Sequence, residues 1–173
     1  MALFKRGYKA LEEEKKRQEE RRKRAQNRLF NLFLSEDREE CEVIFLTEEP
    51  VTFYVHTQPT VINGKTIYKD ILCLRDSLGG DCEFCNNGER NTFKGAYLVV
   101  DKREYSYIDR EGKEQTIKNQ VKLYIQGTKV LSQLERLSQK YGLTKYEYTI
   151  VRMGKGQGTS YMFERGDEVK PAR

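Results

Sequence analysis

The chain has 173 residues, of which 34% are charged and 37% hydrophobic, and a net charge of +5. That length supports one domain with appendages. No apolar run approaches the roughly 20 residues of a membrane-spanning helix, so a cytosolic protein is expected. The charge is uneven: residues 1–28 hold eleven Lys/Arg against five Glu, a balance of +6, which leaves residues 29–173 at −1. The arm carries the long-range field, and any nucleic-acid site on the body has to be a local stripe of Lys and Arg.

Residues 11–28, LEEEKKRQEERRKRAQNR, contain no Gly or Pro and are rich in strong helix formers. Glu12 and Lys16, Glu13 and Arg17, Glu19 and Lys23, and Glu20 and Arg24 are i,i+4 pairs in the favourable order, each worth roughly 0.2–0.5 kcal/mol. A helix is predicted. Between Glu12 and Arg24 it has no apolar residue and so no face to bury. Ala25, Leu29, Leu32 and Phe33 restore helical spacing, and the end of the helix is expected to dock on the body.

After Ser35 the pattern changes to strands. Cys41 to Leu46 alternates, and Val51 to His56 is rich in β-formers, with Glu48-Glu49-Pro50 as a turn-like break between them. Asn63-Gly64 marks a tight hairpin between Thr57 and Lys69. Asp76 to Arg90 reads as a Gly/Asn/Asp-rich loop, and Gly95 to Val100 as a buried strand. Glu104 to Ile108 is expected to pair with Thr116 to Gln126. Thr128 to Tyr141 puts Val130, Leu131, Leu134, Leu137 and Tyr141 on one helical face, with Gly142 as its cap. Lys145 to Met153 and Thr159 to Phe163 form a last hairpin around Gly154-Lys155-Gly156-Gln157-Gly158.

These elements predict a mainly β (α+β) fold, a small OB-fold-like barrel with an inserted metal lobe and an N-terminal helical arm. Periodicity equally supports an SH3-like barrel or an open α+β sheet. The expected organisation is an arm over 1–34, a body over 35–165 with a zinc lobe at about 56–93, and a short tail at 166–173.

The densest chemistry lies in that lobe. His56, the only histidine, shares one stretch with Cys73, Cys82 and Cys85, the last two spaced C-x2-C. Four N/S ligands suit tetrahedral zinc, and a C-x2-C turn brings two thiolates to one ion. A packed, non-ligating histidine is the plainer alternative. Dithiol chemistry is a second, but it asks for a helix opening at the clip, and Asn86-Asn87-Gly88 follows instead. A disulfide framework suits short secreted chains, and no signal peptide precedes the cysteines. Cys41 stands apart as a spare thiol and is the next ligand candidate should His56 not bind.

Single-strand binding needs cations for the backbone and aromatic faces for the bases. In residues 118–125 the two-residue period sets Val121, Leu123 and Ile125 on one face and Lys122 and Tyr124 on the other. Tyr105 and Tyr107 lie beside Lys102 and Arg103, and Tyr148 lies near Arg152. With Lys94 and the loop residue Lys155 they are the candidate DNA contacts, although tyrosines of this kind also serve as cross-strand packing. The glycine loop lacks the Lys-Ser/Thr ending of a phosphate-binding loop. No nucleophile elbow is present, and a zinc with four protein ligands has no open position, so no catalytic residue is assigned.

The order of basic arm, Val43-Ile44-Phe45-Leu46, His56, Cys73, Cys82-x2-Cys85 and Lys94-Gly95-Ala96-Tyr97-Leu98-Val99-Val100 resembles the zinc-containing single-stranded DNA-binding proteins of tailed phages. The similarity spans nearly the whole chain. It implies an OB-fold with one structural zinc, and a role in DNA replication, recombination and repair in the cytoplasm of an infected bacterium. It further implies self-association along DNA through Leu3, Phe4, Lys5 and Arg6, and a phage polymerase, helicase or recombinase as partners. The chain differs in ending on residues 166–173, where many members carry a long acidic tail, and in its longer charged helix. A zinc-stabilised adaptor whose arm engages replication or transcription machinery, with RNA or duplex binding, is the second reading.

Overall fold

The computed structural model describes residues 8–26, 29–109 and 111–170, in two units that divide after Phe30. Leu3, Phe4, Lys5 and Arg6 lie outside the described residues. The first unit is the helix α1 (Tyr8–Gln26), whose side chains from Leu11 to Arg22 are all exposed, as expected of a helix without an apolar face. A two-residue strand, β1 (Phe30–Asn31), falls at the division. The helical spacing expected at Leu32 and Phe33 is not realised. Here the chain is extended, so that Leu32 and Leu34 are buried while Phe33 is 72% exposed, and the Leu32 amide donates to the Leu123 carbonyl at 2.8 Å.

The second unit is built mostly of strands: β2 (Glu40–Phe45), β3 (Val51–Ile62), β4 (Lys65–Leu72), β5 (Thr92–Asp101), β6 (Tyr105–Ile108), β7 (Glu114–Ile117), β8 (Gln120–Gly127), β9 (Tyr146–Met153) and β10 (Ser160–Glu168). Its helices are α2 (Leu74–Leu78), α3 (Glu83–Asn86) and α4 (Thr128–Tyr141). The order β8-β5-β2-β9-β10 forms the main sheet. β5 is its axis. One edge pairs along its length with β8, while the other is shared by β3 over residues 92–96 and by β2 over 99–101. Because both are antiparallel to β5, β2 and β3 run on in line, and residues 46–50 form a break between them.

The β3–β4 hairpin closes at Asn63 (φ 50°) and Gly64 (φ 74°), two consecutive left-handed residues of the kind a two-residue hairpin turn demands. The pairing expected for Thr116 to Gln126 is different: Asn119, at φ 53°, divides this segment. β7 turns back on β6 in a separate two-stranded sheet, while β8 joins β5.

Phe45 centres the core, with edge-on contacts to Tyr97 (5.5 Å), Tyr148 (5.7 Å) and Tyr124 (6.4 Å). Tyr124 of β8 also meets Tyr161 and Phe163 of β10. The sheet therefore curls until its two ends face each other across the core, although among the described residues the pairings do not close into a barrel. α4 covers this core with Val130, Leu131 and Leu134. Gly95 permits the approach, since a Cβ there would lie 2.8 Å from a Leu131 methyl.

Candidate functional site

The metal-ligand candidates come from three elements. His56 sits within β3, where the strand passes from the main sheet into the hairpin. Cys73 follows β4 and precedes α2, and Cys82 and Cys85 bracket the start of α3. The segment expected to be an irregular loop holds these two short helices, and the clip does open a helical turn, of four residues. It is a single turn, and its Cys85 amide faces the Cys82 sulfur. Gly79 (φ 69°) ends α2, and the Ser77 hydroxyl bonds both the amide and the carbonyl of Tyr54, fastening α2 to β3.

His56, Cys73, Cys82 and Cys85 come together, with their ligand atoms all within 4.8 Å of one another. Cys73 Sγ lies 3.4 Å from Cys85 Sγ, and His56 Nε2 lies 3.5 Å from Cys82 Sγ and 3.4 Å from Cys85 Sγ. A tetrahedral ion with Zn–S near 2.3 Å and Zn–N near 2.0 Å would set these edges at roughly 3.5–3.8 Å. The donor set thus fits one metal ion with little adjustment. His56 Nδ1 donates to the Arg90 carbonyl (3.2 Å), which leaves the Nε2 lone pair turned toward the sulfurs. The Asn91 side-chain amide donates to Cys73 Sγ (3.6 Å) and also to Asp76, and Phe84 lies over the His56 ring at 5.2 Å.

The electrostatics agree with an anionic sulfur cluster. The Cys85 amide, followed by those of Leu74 and Arg75, turns toward Cys82 Sγ and holds that thiol down at about 6, against the opposing effect of burial. Burial, and then its two cysteine neighbours, push Cys85 up to about 12. Three thiolates this close cannot all ionise without a cation between them. All four cysteines are free. Cys41 lies apart from the cluster, buried, with its thiol donating to Asp101 Oδ1 (3.1 Å).

Most of the expected DNA contacts have another task. Asp101 is fully buried at the end of β5, and Arg103 (3.0 Å), Lys122 (2.9 Å) and the Tyr105 hydroxyl (2.6 Å) converge on its carboxylate. Burial alone would raise this carboxyl. Hydrogen bonds from Arg103, Tyr105, Lys122 and Cys41 hold it far below the carboxylate range instead. Lys122 Nζ also stands 3.9 Å above the Tyr105 ring, and Arg103 reaches Glu39 at 2.8 Å. Lys102 pairs with Glu147 (2.6 Å) and Glu42 (3.3 Å). Arg152 donates to the Leu34 carbonyl and to Thr159.

The expected sidedness of β8 is reversed. Lys122 and Tyr124 face inward, while Val121, Leu123 and Ile125 face outward, because the inward side of β5 carries the carboxylate that Lys122 neutralises. Tyr124 and Tyr148 are core residues, each 1% exposed, and present no face for stacking. Lys94 is paired with Asp70 on the outer sheet face. Tyr107 and Lys155 are exposed.

The outer face itself was not foreseen. Cross-strand partners set Val121 beside Val100 and Ile44, Leu123 beside Leu98, Ile125 beside Ala96 and Val51, and Lys94 beside Phe53. The same face continues along the hairpin through Thr57 and Asp70 to Pro59 and Tyr68. Val51 is 73% and Tyr68 72% exposed. The sequence signal was the β-forming residues Thr66, Ile67, Tyr68 and Ile71 directly after Asn63-Gly64. No protein-family model, curated protein or solved structure matches this chain. Among the described residues no helix is long and apolar enough to cross a membrane.

Proposed function

We propose that this chain is a non-enzymatic protein that coats single-stranded DNA without strong sequence preference, with one structural zinc ion on His56, Cys73, Cys82 and Cys85. The observation that carries the reading is the continuous outer face from β8 through β5 and β3 to the hairpin. It offers unpaired bases an apolar platform with Phe53 and the exposed Tyr68 as aromatic faces. Lys94 stands on that platform, and Tyr107 and Lys155 are contacts outside it. The metal acts by holding the hairpin in continuity with the sheet. Three thiolates and an imidazole at tetrahedral spacing support zinc as the ion, and four protein ligands leave no position for a reactive water. The curled sheet is read as an OB-type barrel, in which β2 and β3 share one edge of β5. The basic arm, through Leu3, Phe4, Lys5 and Arg6, contributes self-association along the strand, and the setting is phage replication, recombination and repair.

Fluorescence anisotropy with single-stranded DNA, duplex DNA and RNA across a salt series tests this. Tight, single-strand-selective binding with a steep salt dependence is expected, because phosphate neutralisation releases counterions. Tyr68→Ala should weaken it by about 1–3 kcal/mol, the worth of one stacked base, without altering thermal stability. Equal and weak binding to all three nucleic acids, or an unaffected Tyr68→Ala variant, would refute the reading and favour the adaptor.

A further inference from the structure

The turn at Glu48–Pro50, the first half of β5 and α4 enclose a cavity of about 630 Å³. Glu48, Glu49, Glu135, Tyr97, Phe93 and Leu131 line it. Phe93 and Tyr97 lie on the inward side of β5, opposite to Lys94, Ala96 and Leu98. The cavity is therefore on the other side of the strand from the outer face assigned to DNA.

Its three carboxylates differ in their use. Glu48 is saturated: it accepts from Ser138 Oγ (2.9 Å), the amides of Leu143 (2.8 Å) and Thr144 (2.9 Å), and Thr144 Oγ1 (2.6 Å). Glu49 and Glu135 are exposed at the rim. Among the described residues only the His56 cluster gathers three or more donors closely enough for a metal ion.

Tyr97 supplies an independent observation. It is 2% exposed and lines the cavity, and its hydroxyl makes no hydrogen bond among the described residues. Burial, and then the charges of Glu135, Glu48 and Glu49, push that hydroxyl up to about 12. Unlike the Tyr124 hydroxyl, which is sealed in the core without a partner among the described residues, the Tyr97 hydroxyl opens onto the cavity, where a ligand can reach it. Phosphate is repelled here. Ammonium and guanidinium groups are donors only, and Glu49, Glu135 and the Tyr97 oxygen can accept from them.

We propose that this cavity docks a basic peptide segment of a protein partner, one lysine or arginine side chain lying between Glu49, Glu135 and Tyr97 Oη and an apolar neighbour packing on Phe93 and Leu131. Charge complementarity and the mixed polar and apolar walls select this occupant over a free cation or a nucleic acid.

Isothermal titration calorimetry of the zinc-loaded protein tests the site with two blocked peptides of equal composition, Phe-Leu-Arg-Lys and Leu-Arg-Phe-Lys, against Leu-Phe-Glu-Glu. One-to-one binding of at least one basic peptide, and none of the acidic one, is expected. The double variant Glu49→Gln/Glu135→Gln should weaken binding about tenfold or more, the loss of charge-assisted hydrogen bonds, and Tyr97→Phe about threefold. Tyr97→Phe loses no internal bond, so its melting temperature should equal that of the wild type. Failure of both basic peptides to bind would overturn the proposal, as would unchanged affinity in the variants or equal binding of free arginine. Saturating oligothymidine should leave peptide affinity unchanged, and displacement of the peptide would overturn the placement of the site. Peptide binding, and its loss in the variants, are independent of whether the outer face binds DNA.

Discussion

The metal lobe and the curled sheet are held by different forces. In the sheet, Phe45, Tyr97, Tyr124 and Tyr148 interlock with Leu131, Leu134 and Leu143, and burial supplies the stability. In the lobe, β4 is exposed along its whole length, and neither α2 nor α3 buries a residue. The buried side chains there are His56, Cys73 and Cys82, which are the ligand candidates themselves. A segment that cannot bury enough apolar surface needs another source of order, and a metal ion is the usual one. The hairpin can therefore present apolar residues to solvent without a core beneath it.

Metal removal is the strongest way to break this comparison, since structural zinc sites contribute roughly 10–16 kcal/mol in small peptides. A chelator, or Cys82→Ser, should abolish amide-exchange protection across residues 56–91 and leave β5, β8 and β9 protected. Joint melting of both regions would make them one cooperative unit. The converse experiment is Phe45→Ala, expected to cost about 3–5 kcal/mol in urea unfolding, with metal stoichiometry unchanged.

Asp101→Asn, which keeps an acceptor oxygen, should cost somewhat less, about 1–3 kcal/mol. It leaves Lys122 buried without its counter-charge, whereas Arg103 is partly exposed and can turn to water. Faster exchange in the β6–β7 hairpin, which Tyr105 ties to Asp101, should accompany it.

The smallest effect concerns Glu48. Although burial opposes it, the Thr144, Leu143 and Ser138 donors hold this carboxyl at about 2, below its ordinary 4.5. The folded state therefore binds this proton less readily than the unfolded chain does. The stabilisation is complete above about pH 4.5 and is lost as pH falls toward 2. Glu48→Gln should flatten this part of the melting-temperature profile relative to wild type. Because the group is partly exposed, the difference should stay below about 1 kcal/mol. Parallel profiles would show that the tie between the Glu48 turn and α4 carries no net stability.

Local chemistry made several parts of the molecule legible in advance. Asn63-Gly64 specifies a left-handed two-residue turn, and the apolar spacing from Val130 to Leu137 with Gly142 behind it specifies α4. The ligand set was legible because C-x2-C and a lone histidine on a strand are rare together. The two short helices of the lobe were not, since each is shorter than a helix that holds itself in water and is ordered by contacts such as Ser77 to Tyr54. Nor was the end of the arm: Leu29 to Leu34 keeps helical spacing, yet backbone pairing to Leu123 draws Leu32 into an extended chain.

By itself, then, the sequence determined turns and the amphipathic helix, because each depends on neighbours within a few positions, and the separation of charge between arm and body and the residues able to bind a metal, because these follow from residue type alone. Tertiary structure alone decided which side of β8 is inside. Alternation states only that Val121, Leu123 and Ile125 oppose Lys122 and Tyr124. Their burial depends on Asp101, 21 residues before Lys122, whose buried carboxylate draws the lysine inward and turns the aliphatic row to the surface.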